Sequence, residues 1–137
     1  MNTKIKRVKI KISLILVLFA HILFGQKPNT IYIVDFSVNV SRSVSCNNFE
    51  SSFVDIINKI DLKKRKVERI ANILRSLPKL EKKTFVDIRY KGFILTKSDT
   101  LVFCGDEGSI NVNGIFYKST PYLNKYLKNL IRRKNTY

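Results

Sequence analysis

Three sets of side chains in this chain could do chemistry: two cysteines, two strand-borne aspartates, and several clusters of lysine and arginine. Cys46 and Cys104 are the only cysteines, and no CxxC spacing occurs. A dithiol redox motif is therefore missing, and the pair reads as one structural disulfide in an oxidising compartment. Closing so long a loop stabilises a domain by about 4 kcal/mol on the chain-entropy account. Asp35 and Asp87 each interrupt the polar face of an expected strand. Two carboxylates in one cleft are what glycoside hydrolysis requires, although surface aspartates more often stay solvated or pair with a neighbour such as Arg42 or Arg89. Ser76 to Lys79 reads SLPK and fits S-x-x-K, yet the companion S-D-N and K-T-G runs are missing and the motif fixes only two positions.

The single histidine, His21, sits in an N-terminal apolar run. Beyond that run no Ser-His-Asp or Cys-His site can be assembled, and zinc loses its usual partner for a two-cysteine chain. There is no P-loop and no GxGxxG. The Asp106-Glu107 loop lacks the ligand spacing of an EF-hand. No metal and no cofactor are expected, and the reading leans away from an enzyme.

Charge is the remaining signal. The chain carries 26 Lys and Arg against 10 Asp and Glu, a formal net charge of +16. The basic residues gather over 63–69, at Lys79, Lys82 and Lys83, and over 125–134. Lys63, Lys64, Arg65 and Lys66, with Arg132 and Arg133, are the candidate anion-binding residues. A surface of this kind attracts acidic proteins, lipid headgroups or lipopolysaccharide phosphates. Nucleic acid would call for interleaved aromatic platforms. Tyr122 and Tyr126 lie near the second cluster, but Tyr126 falls on an apolar helical stripe and is better used in the core. The expected partner is an anionic envelope component or an acidic protein rather than nucleic acid, with a membrane met only at its surface.

The compartment follows from the first 30 residues. Lys4, Lys6, Arg7, Lys9 and Lys11 precede an apolar run from Ile12 to Phe24, and no acid occurs before Asp35. That run is too short for a spanning helix, which needs about 20 residues. A basic segment, a short apolar segment and a small residue, Gly25, form the pattern of a secretory signal peptide. The ending LFGQ resembles that of exported proteins of Bacteroidota-type bacteria, a resemblance confined to the leader. Cleavage after Gly25 removes five basic residues and no acid, so the net charge falls from +16 to +11, and it removes His21. Residues 1–25 are read as a signal peptide, residues 26–137 as one domain, and the location as periplasmic or secreted.

The elements that must position these residues follow from periodicity. IYIVDFSVNVSRSVSC alternates strictly, with Tyr32, Val34, Phe36, Val38 and Val40 on one face, which predicts a strand. NNFESSFVDIINKI predicts a helix from Phe49, Phe53, Ile56, Ile57 and Ile60, loosely capped by Asn47 and Glu50, with a short strand at FVDII as the alternative. Asp61 is placed to cap a helix to about Leu77, with Val67, Ile70, Ile73, Leu74 and Leu77 inward and Pro78 as its stop. TFVDIRYKGFILT and TLVFC read as strands, the first with Val86, Ile88, Tyr90 and Ile94 sharing a face. INVNGIFYK reads as a hairpin turning at Asn113-Gly114. STPYLNKYLKNLIRRK reads as a helix capped by Thr120, with Pro121 in its first position. Consecutive strands with short turns imply a mainly antiparallel sheet with helices on one face, a two-layer α+β domain.

This leads to an exported, non-enzymatic binding domain with a basic surface. A small carboxylate-dependent hydrolase and a structural envelope component are the alternatives.

Overall fold

The computed structural model describes residues 28–82 and 87–134. The leader and Val86 lie outside the described residues. The elements run β1 (Thr30–Ile33), α1 (Phe49–Ser52), β2 (Asn58–Asp61), α2 (Lys64–Arg75), β3 (Tyr90–Leu95), β4 (Thr100–Gly105), β5 (Ser109–Val112), β6 (Ile115–Lys118) and α3 (Pro121–Lys134). The strands form one sheet in the order β2-β1-β3-β4-β5-β6. Every pairing is antiparallel. From β3 to β6 the chain is a simple meander. β1 sits between β2 and β3, so β2 and β3 run parallel to each other and α2 carries the chain across β1. The α+β class is as expected.

The sheet is buried on both faces. Ile31, Ile33, Tyr90, Ile94, Phe103, Ile110 and Val112 form one core with Val67, Ile70 and Leu74 of α2 and Leu123, Leu127 and Leu130 of α3. A second cluster contains Val34, Val44, Phe49, Phe53, Ile88 and Cys104. Phe103 and Cys104 are consecutive strand residues, so their side chains leave opposite faces of the sheet. Residues of α2 and α3 thus share the first cluster. Phe49 of α1 belongs to the other cluster, within an irregular segment over 34–57 whose buried apolar residues, Phe36 apart, pack in that second cluster.

That segment departs most from the periodicity. The expected long strand stops at Ile33, because Asp35 accepts hydrogen bonds from both the backbone N–H (2.9 Å) and the hydroxyl (2.7 Å) of Ser37 and turns the chain. Ile31 and Ile33, on the face opposite to the alternating set, are fully buried. The expected helix over 47–60 shrinks to the single turn of α1. Its cap is Asn48, without a side-chain capping bond; instead the Asn48 carboxamide oxygen accepts from the Ser45 N–H at 2.6 Å. Glu50 bonds Lys91 rather than closing a capping box. Residues 58–61 form the edge strand β2, and Asp61 receives the Thr30 hydroxyl at 3.0 Å instead of capping α2. Ile88 sits in the second cluster while Tyr90 and Ile94 sit in the first, so the expected shared face breaks where β3 begins.

Elsewhere local chemistry and structure agree. Asn113 (φ 51°) and Gly114 (φ 87°) take the left-handed positions of the β5–β6 turn. The Thr120 hydroxyl accepts from the Leu123 N–H at 3.2 Å and caps α3. Cys46 and Cys104 are joined, with their Cα atoms 5.9 Å apart.

Candidate functional site

Helices α2 and α3 enclose a hollow of about 780 Å³ on the side away from the sheet. Its shape follows from two amphipathic patterns. On α2 the residues at 67, 70, 71 and 74 turn into the core, which leaves Arg65, Lys66 and Arg69 on the flank that meets α3. On α3 the buried residues are Leu123, Leu127 and Leu130, and Tyr122, Lys125, Tyr126, Asn129 and Arg133 form the facing flank. Five cationic side chains thus line one groove from two helices. Glu68 is the sole acidic residue in its lining.

Among the described residues the ion pairs join Arg75 to Asp99, Arg89 to Asp87, Lys91 to Glu50 and Lys128 to Glu107. None involves a groove residue. Glu68 offsets only part of the charge of the five cations in the lining, and the groove keeps a net positive field. Arg69 lies over the Tyr126 ring, 5.8 Å from its centroid, a cation–π contact that ties the walls together. Burial pushes the Tyr126 phenol above the usual tyrosine range, while Arg69 and Arg133 pull it back down. Tyr122 stands 57 % exposed at the mouth. Asn72 and Asn129 add carboxamides to the lining.

Of the residues singled out in the sequence, Arg65, Lys66 and Arg133 come together here. Lys63 and Lys64 are exposed at the start of α2, where Lys64 lines a smaller hollow with Asn29 and Lys97. Arg132 is exposed near the end of α3 and is not part of the groove lining. Arg69 and Lys125 belong to the basic clusters but were not among the selected residues. The i, i+4 steps Arg65–Arg69 and Tyr122–Tyr126, with Asn129 and Arg133 continuing the second, are the signal that marks one helix flank.

The two aspartates have separate tasks. Asp35 holds the Ser37 turn, and those hydrogen bonds keep its carboxyl below the ordinary range. Asp87 accepts the Val44 N–H at 3.0 Å and pairs with Arg89 at 3.1 Å. The Ser76 hydroxyl donates to the Ile73 carbonyl at 2.8 Å, so it closes the helix end. Among the described residues no group of three or more His, Cys, Asp or Glu is placed to hold a metal ion, and no helix is long and apolar enough to cross a membrane. No family model, curated protein or solved structure matches this chain, so the groove is interpreted from its own residues.

Proposed function

We propose that this chain is an exported, non-enzymatic binding domain, periplasmic or secreted, that holds an anionic envelope component or an acidic protein in the groove between α2 and α3. The observation that carries the reading is the segregation of charge: five cations face one hollow, and every ion pair among the described residues lies outside it. Unpaired like charges held on facing helices repel one another, and a polyanion relieves that repulsion. Lys63 and Lys64 extend the field beyond the mouth, as do Arg132 and Lys134 at the far end of α3. The Cys46–Cys104 disulfide and the leader pattern support an oxidising location.

The test is equilibrium binding to purified lipopolysaccharide and to vesicles containing an anionic lipid, over a range of ionic strength. The wild type should bind at low salt and weaken as salt screens the groove. The set Arg65→Glu, Arg69→Glu and Arg133→Glu should weaken binding at least tenfold. Equal binding by this variant and the wild type would reject the groove as the site.

A further inference from the structure

We propose that the anion taken by this groove is a chain of acidic sugars, a polysaccharide segment bearing carboxylate or phosphate groups. This rests on the reading of the groove as an anion site and asks which anion fits it. Both walls are α-helices, whose backbone N–H and C=O groups beyond the end turns are bonded within each helix. Along most of its length the groove therefore offers side chains. An extended peptide is ordinarily gripped through its main chain at a sheet edge, and a helical peptide through an apolar trough. Here there is no strand edge, and the apolar contribution is Leu130 with two phenol rings.

What the groove does offer matches a charged saccharide group by group. The guanidiniums of Arg65, Arg69 and Arg133 are forked donors shaped for carboxylate and phosphate oxygens. The carboxamides of Asn72 and Asn129 both donate and accept, as vicinal hydroxyls require. The Tyr122 ring presents an open, electron-rich face to the weakly positive C–H bonds of a sugar ring. Tyr126 is less open, being half-buried and with Arg69 over one side of its ring. One open platform also distinguishes the groove from single-strand nucleic-acid channels, where successive bases stack on successive aromatics.

Length points to a polymer. Tyr122 and Arg133 lie eleven residues apart on α3, about 16 Å along the helix axis. A lone phosphate would meet only one end of such a site. The hollow of about 780 Å³ accommodates several linked rings.

The experiment is calorimetric titration of the oxidised protein with an oligogalacturonate hexasaccharide, neutral maltohexaose, hexaglutamate and the oligonucleotide dT6. The hexasaccharide acid should bind at least tenfold more tightly than hexaglutamate of equal charge, and maltohexaose should not bind. Tyr122→Ala should weaken the acidic saccharide about tenfold, the scale of one aromatic contact, and leave hexaglutamate unchanged. Because Tyr122 is exposed, that variant should keep its fold, which circular dichroism verifies. Equal binding of hexaglutamate and saccharide, indifferent to Tyr122 but abolished by the triple arginine reversal, would overturn the sugar proposal and leave the anion groove standing. Tighter binding of dT6 would overturn it in favour of nucleic acid. If no anion responds to the triple reversal, the groove reading itself falls.

Discussion

Gly92 is set by the aromatic side chain opposite it. It pairs with Phe103 across the β3–β4 ladder, and a Cβ there would run into the Phe103 ring. That ring is buried and packs beside Tyr90, with centroids 6.5 Å apart. Gly92→Ala should therefore destabilise the protein by about 1–3 kcal/mol, seen as a lower urea midpoint, and adding Phe103→Leu should recover part of the loss. An unchanged midpoint would mean the ring yields freely. Asp99 supports a prediction of another kind. Its carboxyl is held below the ordinary aspartate range, first by the Thr96 hydroxyl and then by Arg75, which reaches across from α2 at 2.6 Å. The folded state thus favours the charged form. The contribution is present above the unfolded value, about 3.9, and is lost as pH falls through the lower folded value. Asp99→Asn should melt below the wild type at neutral pH, and the two should converge in strong acid. A gap that persists there would assign the effect to something other than charge.

At the scale of elements, the irregular segment over 34–57 shows what the sequence could and could not disclose. The β5–β6 turn and the start of α3 are legible because their determinants are local: Asn-Gly selects a left-handed pair, and Thr-Pro supplies a cap and a preset φ. Over 34–46 the alternation holds in part: Val34, Val38, Val40 and Val44 pack in the second cluster but Phe36 packs against the first, and the pattern comes from an irregular chain and not from strand pairing. Period two records which side is buried, and an irregular strap can satisfy much of that without being a strand. Phe49 and Phe53 mislead similarly; their rings meet edge-on, 5.4 Å apart, around a single helical turn. The groove was half legible for a related reason. Charge marks Arg65, Lys66 and Arg133, but only the pairing of α2 with α3 decides which basic side chains face each other. The disulfide is what pins the strap. With its cysteines 58 positions apart in the sequence, replacing both by serine should cost about 4 kcal/mol. The strap should also become the first segment to lose amide-exchange protection, while β3 and β4 stay protected. Loss of protection across the whole sheet at once would show instead that strap and sheet unfold as a unit.

For the whole molecule, charge and compartment are one question. The chain carries a net charge of +16, and among the described residues the fold gathers five cations against one acid, Glu68, in the α2–α3 groove, with the ion pairs lying outside it. Such a field raises the encounter rate with anions wherever the protein resides, so the compartment decides which anions it meets. In the cytoplasm nucleic acid would dominate; outside it, envelope polymers would. The Cys46–Cys104 bond favours the second setting, since cytosolic reductants keep thiols reduced. The deciding measurement is the intact mass of the protein from fractionated cells, with and without reductant. The expected species begins at Gln26, carries a net charge of +11, and is lighter by the two thiol hydrogens until reduced. It should leave the cell with the envelope or medium fraction. A full-length, membrane-held species with free thiols would overturn the export reading and return nucleic acid to the groove as the leading ligand. The same dT6 titration that tests the saccharide would then decide between them, because the groove's own chemistry is unchanged by where the chain resides.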